Sequence, residues 1–222
     1  MEAPLVILAS SHKHGGICLA GKLITPSAGQ WVRPVSPRET GALPPSWLHR
    51  VAGTIPRVGM CLSVPLGRPV PEEHQQENHA IEAGLWTRIP QISTDKLTTL
   101  VDPDQPLWQD GGHSFRGHND RIPESIVRAT CRASLRLIKP AMLRFTLDHA
   151  PDKTGLRALF DHAGRHYALA VTDDVAIRYW KERLDQGHDG RADALLTISL
   201  GLPFNGFCYK LVAGVIELEK RH

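Results

Sequence analysis

The sequence predicts a mostly β chain, β-rich with a few short helices, folded as two tandem small OB-like β-barrels. Three observations predict it. The chain has 222 residues, enough for two domains of roughly 100 residues each. Its 19 Gly and 17 Pro favour short strands joined by turns over a helical bundle. Residues 134–218 read as three strands, a helix and two strands, and residues 4–85 read the same way more faintly. Five strands with a helix between the third and fourth is the layout of an OB barrel. A pair of small β-sandwiches or a PUA-like barrel has nearly the same order. The expected boundaries are residues 1–95 for the first barrel, 96–132 for a connecting segment and 133–222 for the second.

The elements follow in order. Pro4 to Ser10 is an aliphatic run that reads as a buried strand. A polar loop, Ser11 to Gly16, leads to a second strand over Ile17–Ile24 and a third over Gln30–Ser36. Pro45 to Val51 suits a short helix. Val58–Val64 and Asn78–Leu85 supply the fourth and fifth strands. Residues 86–130 carry turn signals at Asp102-Pro103 and Asp110-Gly111-Gly112, with a short helix near Pro123–Cys131. Leu135 to Leu147 is a long strand interrupted at Pro140. Gly155–Phe160 and His166–Val171 form a hairpin. Thr172 or Asp173 caps a helix that runs to Leu184, with Ala176, Trp180 and Leu184 on one apolar face. Ala194–Leu200 and Cys208–Leu218 are the last two strands.

The composition is 41% hydrophobic and 22% charged, ordinary for a soluble globular chain. The longest uncharged run, Ala194 to Tyr209, is broken by Pro203 and Gly206 and is too short to span a membrane. No basic leader precedes an apolar stretch at the start. Cys18, Cys61, Cys131 and Cys208 are scattered and read as reduced thiols. A cytoplasmic location is expected.

Charge is distributed in blocks. Residues 1–70 carry +5, 71–110 carry −6, 111–144 carry +5 and 145–222 carry −1. Arg outnumbers Lys 18 to 8, and the planar guanidinium suits phosphate oxygens and base edges. Such blocks also occur on plain solvated surfaces.

The sharpest local feature is the loop Ser10-Ser11-His12-Lys13-His14-Gly15-Gly16. Its hydroxyls, ammonium, imidazoles and glycine amides suit a phosphate or a base edge, and Ser11, Lys13, His14 and Gly15 are the candidates. An unliganded polar hairpin has the same composition. In Trp31-Val32-Arg33-Pro34-Val35-Ser36-Pro37-Arg38, alternation puts Trp31, Arg33 and Val35 on one face. Trp31 there can stack a base while Arg33 or Arg38 holds its phosphate, or Trp31 can be a core residue. Arg116, Asn119 and Arg121 lie with His113 and His118 in a Gly-rich polar cluster, and Tyr209 and Lys210 open the last strand. The 12 histidines invite a metal, yet no CxxC or HExxH pattern accompanies them. No metal and no cofactor are expected. No GxSxG or P-loop pattern occurs, and Asp173, Asp174 and Glu217 are explained by a helix start and a strand end. The chain is expected not to be an enzyme.

Two blocks, Ile7 to Gly21 and Trp31 to Ser36, resemble a prokaryotic family with a dual OB-fold domain. Ser134–Ile138, Tyr167–Asp173, Ser199–Gly201 and Tyr209–Ala213 fit the same family, so the resemblance covers most of the chain. It implies nucleic-acid or nucleotide binding and a place in bacterial defence against mobile DNA.

The function expected is non-catalytic binding of nucleic acid, single-stranded DNA or RNA, with Arg33 as a gripping residue. Protein partners in a multi-subunit complex are the alternative, with Leu85, Trp86 and Trp108 as the interface. A metal-dependent nuclease or base-modifying enzyme is a third. No membrane partner is expected.

Overall fold

The computed structural model describes residues 2–13, 15–25, 27–38, 40–109, 113–149 and 154–218. The loop candidate His14 lies outside them, as does the side chain of Lys13. Thirteen strands and four short helices are formed among the described residues.

The first unit contains β1 (Glu2–Lys13), β2 (Gly16–Leu23), β3 (Trp31–Val35), α1 (Pro45–Ala52), β4 (Cys61–Pro69), β5 (Asn78–Ile81) and β6 (Thr87–Arg88). β1 is long enough to pair with β2 along one stretch and β4 along another. β3 pairs with β5 in parallel, and β5 pairs antiparallel with β4. The circuit β1-β2-β3-β5-β4-β1 is therefore closed, which is the OB order. Leu5, Ile7, Ile17, Leu19, Val32 and Leu62 fill it, with Leu48 of α1 plugging one end.

The connection carries α2 (Thr94–Thr98), β7 (Arg121–Pro123) and α3 (Glu124–Thr130). Ser93 caps α2 by accepting from the Lys96 amide at 3.2 Å.

The second unit contains β8 (Leu135–Ile138), β9 (Ala141–His149), β10 (Thr154–His162), β11 (Arg165–Val171), α4 (Asp174–Asp185), β12 (Ala194–Leu200) and β13 (Phe207–Glu217). Its order is β8-β12-β13-β11-β10-β9, again with a parallel pairing, β11 to β13. This sheet is open, where the sequence led us to expect a closed barrel. The reason is local: Lys139-Pro140 splits the first strand, so β8 pairs with β12 while β9 pairs with β10. Two further bonds draw the ends together, from the Phe145 amide to Gly190 O at 2.8 Å and from the Ala192 amide to Leu143 O at 3.2 Å. Asp173 caps α4 and also accepts from the Val215 amide at 3.1 Å, tying the helix to β13.

The two units pack directly on each other. Val6, Leu8 and Cys61 meet Leu97 and Leu100 of the connection and Leu137 and Leu195 of the second unit. β1 crosses β13 so closely that a Cβ on Gly214 would lie 1.9 Å from Leu8 O. Asp102 is a polar hub within this junction. It accepts from Lys22 Nζ at 2.5 Å, Trp31 Nε1 at 3.0 Å and the Leu137 amide at 2.7 Å.

Candidate nucleic-acid interface

A cleft of about 1190 Å³ lies between the two units. Its floor is the outer face of β2 and β3, with Cys18, Ala20 and Val35. One side carries the end of β1, with Ser11 and His12, and the arginines Arg38 and Arg68. The opposite side is β13 and the β12–β13 loop, with Leu202, Phe204, Tyr209 and Leu211. In an OB barrel this β2–β3 face, flanked by the first hairpin and the loop between the last two strands, is the usual ligand surface.

The polar segment at the first hairpin is more strand-like than expected. Ser11, His12 and Lys13 continue the β1–β2 ladder opposite Cys18, Ile17 and Gly16. Gly15 adopts φ 74° and is exposed. Ser11 also forms a backbone bridge to Asp173, and His12 Nδ1 pairs with Asp174 Oδ2. The hairpin is thus pinned to the start of α4.

The Trp31 face has a different fate from the one expected. Alternation does put Trp31 and Arg33 on the side away from the barrel core, but the second unit covers that side. Trp31 gives its indole N–H to Asp102, and the Lys22 ammonium sits 5.1 Å from its ring. Arg33 lies on the cleft floor yet is only 8% exposed. Its Nη2 donates to Ser134 Oγ at 2.7 Å and lies 3.1 Å from Glu77 Oε1, while Ser134 donates to the same carboxylate. Burial lowers the Arg33 pKa, and Glu77 opposes the shift. This arginine fastens the two units. Lys210 is also interior, 1% exposed, with its ammonium 5.3 Å from the Tyr167 ring.

Arg116, Asn119 and Arg121 gather beyond the end of the cleft. Arg116 pairs with Asp148 at 2.9 Å, and Asn119 Nδ2 donates to His166 O at 3.0 Å. The Arg121 guanidinium lies 3.9 Å from the centre of the Phe207 ring. Of the candidates, the structure brings Ser11, Arg33, Arg38 and Tyr209 to the cleft. It leaves Trp31 and Lys210 inside and puts Arg116, Asn119 and Arg121 outside it.

Sequence reasoning missed Arg68 and Phe204. Arg68 lies past the strand segment identified at Val58–Val64, because β4 runs on to Pro69. Phe204 precedes Asn205-Gly206, a dipeptide that signals a two-residue turn with both residues left-handed. Their φ values are 49° and 78°, and Phe204 and Phe207 exchange backbone bonds of 2.8 and 3.1 Å across it. That signal was available and points to two rings on one face of a hairpin.

Glu72 is the acidic residue on the cleft wall among those described. Across the described residues, no three His, Cys, Asp or Glu side chains converge as a metal site would require. The described cysteines form no disulfide, and burial pushes the Cys208 thiol up to about 12. No helix among the described residues is long and apolar enough to cross a membrane. Of the three residues expected to meet a protein partner, Leu85 is 67% exposed, Trp86 is 3% exposed, and the half-buried Trp108 donates its indole N–H to Ala133 O at 2.7 Å.

A family model described as a dual OB-containing domain matches residues 4–215. No curated protein and no solved structure matches the chain.

Proposed function

From the membership of this chain in the dual OB-containing domain family, we propose that it is a non-catalytic protein that binds single-stranded nucleic acid in the cleft between its two units. One observation carries the reading: the cleft sets exposed Arg38 and Arg68 against the aromatic side chains Phe204 and Tyr209. Guanidiniums hold phosphates while rings stack bases, the combination by which single strands are bound without strong sequence preference. Arg33 is not part of the grip, because Glu77 and Ser134 already occupy it. A role in bacterial defence against mobile DNA belongs to the same proposal and rests on the family resemblance alone.

The test is fluorescence anisotropy with labelled single-stranded DNA, single-stranded RNA and duplex at two salt concentrations. The wild-type protein should bind a single strand in preference to duplex, and more weakly at high salt. An Arg38→Ala/Arg68→Ala variant should bind more weakly, with the logarithmic salt slope reduced by about 0.7 for each phosphate that the protein no longer neutralises. Phe204→Ala should cost about 1–3 kcal/mol of binding. Binding by the double arginine variant at wild-type affinity and salt slope would refute the cleft as the site.

A further inference from the structure

The aromatic wall does not end with the cleft. Alternate residues of β13 share one face, and Tyr209, Leu211 and Ala213 on that face line the cleft. The next residue outward, Phe207, continues the row and carries the Arg121 guanidinium on its ring. The same guanidinium is 5.4 Å from the centre of the Phe115 ring. Phe115 in turn meets Tyr209 edge-on, with centroids 6.3 Å apart and planes at 79°. A chain of rings therefore leads from the cleft to Phe115.

Phe115 is 64% exposed, although the loop that carries it is firmly held. The buried Asp120 carboxylate accepts the amides of Phe115 at 2.9 Å, Arg116 at 3.3 Å and Gly117 at 2.7 Å. The ring is not isolated, because its contact with Tyr209 makes it continuous with the aromatic wall of the cleft, and contiguous exposed apolar surface marks an interaction site. The local charge favours an anion. Among the described residues Arg116 and Arg157 share the single carboxylate of Asp148, and Arg121 forms no ion pair.

We propose that the ligand of the cleft is a polynucleotide rather than a free nucleotide, and that its chain runs out along β13 to stack a base on Phe115. This rests on the cleft reading above. Continuity of the rings with the cleft and the positive excess beside them select this occupant over an apolar peptide.

The test measures the dependence of affinity on length with labelled oligo(dT) and oligo(rU) of roughly 4 to 12 nucleotides, spanning the site sizes of OB proteins. Wild-type protein should gain at least about tenfold in affinity from the shortest to the longest, with the longer chain stacking further bases. Phe115→Ala should abolish most of that gain and leave the shortest oligonucleotide bound as before. Phe115→Tyr should restore it, since the phenol keeps the ring. The ring is exposed, so both variants should melt with the wild type. An unchanged length dependence in Phe115→Ala, while Arg38→Ala/Arg68→Ala still weakens every length, would overturn the outward path alone. Wild-type affinity in the double arginine variant would overturn the cleft reading and this inference with it.

Discussion

Replacing Asp102 by alanine tests how the two units are held together. The carboxylate accepts from the Lys22 ammonium at 2.5 Å, the Trp31 indole at 3.0 Å and the Leu137 amide at 2.7 Å. Without it, Lys22 keeps one hydrogen-bond acceptor, Leu100 O at 2.6 Å, and its side chain is 2% exposed. Burial already lowers the Lys22 pKa against the pull of Asp102, so the charge is held at a cost. Breaking one side of a buried pair costs about 3–5 kcal/mol. The two orphaned N–H donors add about 2 kcal/mol at the low end of the range for such groups, because both are only partly buried. The low end of that sum, about 5 kcal/mol, would already remove a large share of the roughly 5–15 kcal/mol that keeps a protein folded. For a chain of this size that is a fall in Tm of about 10–20 °C. Lys22→Met/Asp102→Leu removes the stranded charge and should recover more than half of the loss. Urea unfolding of the wild type, Asp102→Ala and the double variant checks this. A single variant within about 1 kcal/mol of wild type, near the spread of an ordinary surface change, would refute the reasoning, as would a double variant no better than the single.

Arg33→Met should destabilise by about 3–5 kcal/mol by leaving Glu77 buried without its cation. Arg33→Met/Glu77→Leu should lose less, and urea melts of the pair separate the two cases. Asp173 predicts a pH dependence. Burial raises its carboxyl pKa, Asp174 adds to the rise, and the amides of Ala176, Val215 and Val175 oppose it. An acid with a raised folded pKa binds more protons folded than unfolded, so its contribution to stability falls as pH rises from the ordinary carboxylate range through the folded value. Asp173→Asn keeps an oxygen for the cap and removes the titration. Its stability relative to wild type should therefore be more favourable at pH 7 than at pH 4, and equal differences at the two pH values would contradict the sign.

Much of the fold was legible because local chemistry fixes it. Asp173 starts α4 where an N-cap was expected, and Pro140 breaks the first strand of the second unit. Strand order followed from element order, since an OB circuit has few alternatives. The connection was less legible. α2 rests on the single cap of Ser93, and Asp102 looked like an ordinary turn residue. The site was read in part. Alternation assigns a residue to a face but says nothing of what later packs on that face. Trp31 and Arg33 were on the expected side, and the second unit then covered it. Lys210, a charged residue between Tyr209 and Leu211, gave no sign that it would be interior with its ammonium beside the Tyr167 ring. Arg38 and Tyr209 stayed at the cleft because the one lies in a loop and the other on the outward face of β13.

The Asp102 hub also bears on the chain while it is being made. All the strands that close the first barrel have been made by Ile81, and N-terminal domains fold first as a chain emerges. At that moment Lys22 and Trp31 have no Asp102, and Val6 and Leu8 have no Leu137 or Leu195 to cover them. A first half made alone would therefore leave the Lys22 ammonium in water beside an apolar stripe that Leu137 and Leu195 cover in the complete chain.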